Sequence, residues 1–125
     1  MQTVALGAMC NAPVCLAVWL ATSARSTTDK IMATLFPITA FVAAGFEHSI
    51  ANMFYVPLGL SIKATAAPSF WTAINKSVSD FADLNWVNFL LANLLPVTLG
   101  NIIGGVGMVG LVYWFIVLRP RRDKI

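Results

Sequence analysis

IMATLFPITAFVAAGFEHSIANMFYVPLGLSI, residues 31–62, is an apolar run interrupted at its middle by two adjacent ionisable side chains, Glu47 and His48. Charge inside an apolar span is costly, and where it occurs it marks function by default. Composition assigns the run to a membrane. The chain is 58% hydrophobic, only 10% charged and has a mean hydropathy of +0.79, against about 25% charged residues in soluble domains.

The charged side chains divide the rest of the sequence into blocks. Residues 1–24 carry no charge, residues 31–62 carry only the Glu47/His48 pair, and residues 84–118 again carry none. About 20 apolar residues cross the hydrocarbon as helix, so three crossings are expected. The first block lacks the basic start of a secretory signal and is too long for its apolar core, and so reads as a span.

Orientation follows from the basic residues. Arg25 and Lys30 flank the first connection, and Arg119, Arg121, Arg122 and Lys124 follow the third block. Short cytoplasmic segments retain such an excess, which places that connection and the 119–125 tail in the cytoplasm. The intervening stretch, 63–95, balances Lys63 and Lys76 against Asp80 and Asp83 and reads as an extracytoplasmic loop with a lead-in helix. The whole chain, 1–125, is then one membrane domain with spans at about 1–24, 31–62 and 96–118. Nucleic-acid binding through the basic tail is disfavoured, because the same residues fit the membrane boundary.

Glycine and proline refine the blocks. Pro37 and Gly45 predict a break of the second span near 37–45, since one removes a backbone donor and the other admits conformations closed to other residues. Irregular backbone at membrane depth is tolerated only when buried in protein or lining a cavity, and broken spans point to transport sites. Pro96 predicts a division between a lead-in helix over residues 85–95 and the crossing that follows. Gly100, Gly104, Gly105, Gly107 and Gly110 predict a face for close helix packing. Tyr113 and Trp114 fit an interfacial aromatic belt.

The chemistry is narrow. Cys10 and Cys15, five apart on a helix, point about 140° away from each other, which argues against a disulfide or a metal pair. One histidine supplies no metal-ligand spacing, and no cofactor is implied. Adjacent Glu47 and His48 diverge by about 100° on a helix and are accompanied by no nucleophile, so an enzyme is disfavoured. A single imidazole in an apolar pore suits an anion better, since it can donate a hydrogen bond or a proton. Ser49, Asn52 and Asn101 are the uncharged polar candidates around it.

GFEHSIANMF at residues 45–54, FWTAI at 70–74, NFL at 88–90 and PVTLGNIIGG at 96–105, with NAPVCLAVWLATSARSTTDK at 11–30, resemble the formate/nitrite transporter family and within it the bacterial formate channels. The resemblance covers nearly the whole chain. It implies an all-α membrane fold, aquaporin-like, in which three transmembrane helices, the second interrupted, form one inverted repeat of a six-span protomer. It also implies assembly as a homopentamer in the inner membrane of a bacterium, with formate as the anion substrate and the lipid bilayer as surroundings. By motif, His48 matches the central pore histidine, Asn101 the asparagine beside it, and Phe41 an aromatic at a constriction. Glu47 and Asn52 match a polar network that in the family includes a lysine preceding the position of Met1.

Family members are about twice as long, so the expectation is a fragment lacking the first three spans. The function expected is pH-dependent conduction of formate, nitrite or short monocarboxylates through the central histidine. The alternative is a non-transporting membrane anchor or assembly subunit.

Overall fold

The computed structural model describes residues 1–119. The basic residues Arg121, Arg122 and Lys124 of the expected cytoplasmic tail lie outside the described residues. Among the described residues the chain is entirely helical, with no strand.

Helix α1 is Gln2–Ser23 and turns through residues 24–26 into α2, Thr27–Ala43. Ser26 and Asp29 start α2 with a reciprocal capping box. The Ser26 hydroxyl accepts from the Asp29 amide and the Asp29 carboxylate accepts from the Ser26 amide, both at 3.1 Å. Two otherwise orphaned donors are thereby satisfied at a helix start. α1 and α2 pack together, with a groove between them lined by Val14, Ala17 and Val18 on one side and Lys30, Thr34 and Ile38 on the other.

The interruption of the second block falls at residues 44–48, later than the expected window of 37–45. Pro37 lies inside α2 and does not break it. Gly45 does: at φ +67° it occupies the left-handed region, where a side chain would be strained. Around it the amide of Phe46 donates to the Phe41 carbonyl and the amide of Gly45 to that of Val42, both at 3.1 Å. This is a Schellman ending, and it reverses the chain at once. Helix α3, Ser49–Thr65, follows after an extended His48.

A short α4, Pro68–Ala73, ends the same way with Asn75 at φ +52°. A single 3-10 turn, Val78–Phe81, leads to the last helix. Lys63 ties this connection to α3, its ammonium donating to the carbonyls of Phe81 at 2.6 Å and Leu84 at 2.9 Å.

The last helix, α5, runs over residues 86–118 as one rod. The expected division at Pro96 is absent. Instead, the turn before the proline, Phe89–Leu94, is a wide π turn, and Pro96 sits in the first turn of the α-helical segment Leu95–Ile102. Widening carries the preceding carbonyls away from the proline ring, whose missing N–H would otherwise break the ladder. Further wide turns occupy Ile103–Gly110 and Trp114–Leu118. Two stretches, Gln2–Ser23 and Val78–Leu118, are long and apolar enough to cross a membrane.

α5 crosses α1 at small residues. A Cβ on Gly100 would collide with the Val4 carbonyl, and one on Gly104 with the backbone of Ala8. Gly7 faces back across the crossing: a Cβ there would lie 2.8 Å from the Val97 carbonyl. Val97 and Cys10 are fully buried in this seam; of the glycines expected to form a packing face, Gly100, Gly104 and Gly105 meet α1, whereas Gly107 and Gly110 meet no other helix.

Candidate functional site

The site is the break between α2 and α3. Because the Schellman ending folds the chain back over the last turn of α2, His48 returns to the level of Phe41. The two rings stack, with centroids 5.9 Å apart and an interplanar angle of 29°. Both side chains are half-buried. Thus the break sets the imidazole against an apolar wall while leaving it partly exposed.

Asn101 holds the backbone on each side of His48. Its Oδ1 accepts from the Ser49 amide at 2.9 Å and from the Ser49 hydroxyl at 3.0 Å. Its Nδ2 donates to the Glu47 carbonyl at 3.0 Å and to the Gly7 carbonyl at 2.9 Å. An amide has two donor hydrogens and two acceptor lone pairs, so all of its capacity is spent. Asn101 and Ser49 are also the buried polar residues of the described chain, at 6% and 7% exposure. The sequence reading placed Asn101 along the substrate pathway; here its side chain clamps the peptide groups that flank the imidazole.

Glu47 turns away from His48 into a second cluster. The Asn52 amide donates to its carboxylate at 2.6 Å and to the Asn93 Oδ1 at 2.8 Å, while the Asn93 amide reaches the same carboxylate at 3.5 Å. α5 therefore supplies an amide to each half of the break: Asn101 to the peptides around His48, and Asn93 to the carboxylate.

Two members escaped the sequence reading. Asn93 was not singled out, nor was Asn11, whose Nδ2 donates to the Asn101 carbonyl at 2.6 Å. The one signal each gave is that it is an uncharged polar residue within a largely apolar block, and such residues need partners. Among the described residues, no group of His, Cys, Asp and Glu is placed to hold a metal ion.

The chain is similar to known proteins in both sequence and fold. The family described as formate/nitrite transporter matches residues 1–115. Formate channel FocA of Escherichia coli (strain K12) is 52% identical over 118 residues, which cover 94% of this chain and 41% of that protein. A probable formate transporter of Methanothermobacter thermautotrophicus is 42% identical over 110 residues, covering 88% of this chain and 33% of its own. A solved structure, a pentameric formate channel with formate bound, superposes with a TM-score of 0.87 at 55% identity, over 95% of this chain and 47% of that one. The chain thus spans less than half the length of the relatives it matches. With a family match over almost its full extent and a common architecture, the chain belongs to the formate/nitrite transporter family.

Proposed function

We propose that this chain forms one three-span repeat of a six-span channel protomer that conducts formate, or related small monovalent anions such as nitrite and short monocarboxylates, across a bacterial inner membrane. The protomer assembles as a homopentamer. This reading is supported by relatives that are formate channels and by a structural neighbour that is pentameric and binds formate.

The observation that carries it is the position of His48. It stands in a non-helical break between two half-helices, stacked on Phe41, directly before the N-terminus of α3. Helix N-termini carry partial positive charge and favour anions, and discontinuous helices use them in that way at transport sites. A single imidazole adds a hydrogen-bond donor that can also hold a proton. Phe41 forms an apolar constriction beside it, which selects for small anions that can shed water. Glu47, Asn52 and Asn93 form the polar network that fixes the start of α3, and Asn101 sets the peptide groups on which His48 rides.

The test is formate flux into liposomes containing the full-length channel. His48→Ala is expected to lower flux by about tenfold or more, the value of a lost hydrogen bond to a charged group, and to abolish its response to external pH. Unchanged flux with unchanged pH response would overturn the central role of His48.

A further inference from the structure

At the crossing of α1 and α5 two asparagines exchange hydrogen bonds with each other's helix. Asn11 of α1 donates its side-chain amide to the backbone carbonyl of Asn101 at 2.6 Å, and Asn101 of α5 donates its own to the carbonyl of Gly7 at 2.9 Å. The room for this exchange comes from Gly105. A Cβ there would lie 2.5 Å from the Asn11 amide nitrogen and 3.3 Å from Cys15 Sγ. The exchange sits just before α5 widens at Ile103, where the carbonyl ladder is being re-registered. Rotation and height of α5 at residue 101 are therefore set from α1.

From residue 101 the constraint passes directly to the break. The same Asn101 side chain that is fixed on Gly7 holds the Glu47 carbonyl and the Ser49 amide. These are the peptide groups immediately before and after His48. Two bonds connect Asn11 to the imidazole's own backbone, with no flexible side chain between them other than the saturated amide of Asn101.

We propose that Asn11 is a positioning residue for the anion pathway, acting through Asn101 on the placement of the His48 ring against Phe41. The proposal rests on the reading of His48 as the pore-centre group. Its class of effect is geometric: removing the Asn11 amide frees the Asn101 carbonyl, lets α5 shift at residue 101 and moves both peptides that carry the ring. The titratable side chains beside this path are Glu47 and His48 in the break and Cys10 and Cys15 on α1, while α5 contributes the amides Asn93 and Asn101.

The experiment compares full-length channels carrying Asn11→Ala, His48→Ala or neither. Histidine is labelled for NMR in detergent micelles, the His48 ring signals being those lost in His48→Ala, and formate flux is measured in liposomes. Asn11→Ala is expected to move the His48 ring signals and to raise the formate concentration for half-maximal flux by about fivefold, the equivalent of one hydrogen bond. Should Asn11→Ala fail to assemble, Asn11→Ser, which removes the amide donor to the Asn101 carbonyl while keeping a small polar side chain at the crossing, is held to the same two readouts. Unmoved ring signals, or moved signals with an unchanged flux curve, overturn the proposal. Intact flux in His48→Ala overturns instead the underlying reading of His48, and the ring signals still decide whether Asn11 positions it.

Discussion

Asn101 shows what a buried amide does when every one of its hydrogen-bonding positions is taken. Four bonds join it to Gly7 on α1 and to Glu47 and Ser49 in the break, two separate parts of the chain. Bonds between helices in membrane proteins average about 0.6 kcal/mol and reach about 1.7 kcal/mol. Asn101→Ala is accordingly expected to cost about 2–3 kcal/mol, and more if the Ser49 amide is left without a partner. Equilibrium unfolding of the wild-type and variant channels in mixed micelles measures this; a loss below about 0.5 kcal/mol, within the scatter of a surface substitution, would contradict it. At this scale the sequence was partly legible. GNIIGG pointed to Asn101, and GFEHSIANMF to Glu47, His48 and Asn52. Asn11 and Asn93 carried no comparable local signature. Their partners lie 90 and 41 residues away, and which of several asparagines meets which is decided by helix crossing, not by spacing along one helix.

Among the elements, the break, the crossing and the turn after α4 each depend on a different kind of residue. The break was legible because a glycine in an apolar run has few reasons to be there, yet its position was misplaced toward Pro37. A proline costs one ladder bond and can be carried within a helix, whereas left-handed Gly45 reverses the chain. The same misjudgement made Pro96 a boundary, because the wide turn that accommodates it has no sequence signature.

The crossing predicts a contrast between two glycines three residues apart. Gly104→Ala would place its Cβ against the backbone of Ala8, whereas a Cβ on Gly107 meets nothing within 4 Å. The first is expected to destabilise by about 1–3 kcal/mol or more through overpacking, and the second to be neutral or to stabilise by up to about 1 kcal/mol through helix propensity. Thermal dissociation of the purified assemblies ranks them, and equal effects would show that α5 does not meet α1 at Gly104. In the turn, the Ser77 amide donates to the Asp80 carboxylate at 2.8 Å. That backbone bond, with help from the Ser77 side chain and Lys76, holds the Asp80 carboxyl below the usual carboxylate range. For a depressed carboxyl, the contribution to order is complete above its ordinary value and is lost as pH falls through the lowered one. Hydrogen exchange at the Ser77 amide is therefore expected to stay protected down to the ordinary carboxylate range and to speed up only below it. Acceleration on raising the pH, beyond the intrinsic increase in exchange, would reverse the assignment.

Across the whole molecule the arrangement is the opposite of a soluble domain. Large apolar side chains face outward, with Phe36, Tyr55 and Ile116 each at least 67% exposed, while the interior seam is made of Gly7, Cys10, Ala17, Gly100, Gly104, Ser49 and Asn101. Composition alone made this legible, since a chain with so few charges has no polar coat to wear. Which helices meet was less so, because glycines mark a face for packing without naming its partner.

That seam has a consequence for the order in which the protein is made. The Glu47–Ser49 stretch leaves the ribosome with α2 and α3, but the amides that satisfy it, Asn93 and Asn101, follow 46 to 54 residues later. A nascent chain halted before α5 therefore holds a carboxylate and open peptide groups for which the partners in four of the five side-chain hydrogen bonds are still untranslated. Until α5 arrives and sets its glycines against α1, the peptide groups on either side of His48 have no Asn101 to hold them.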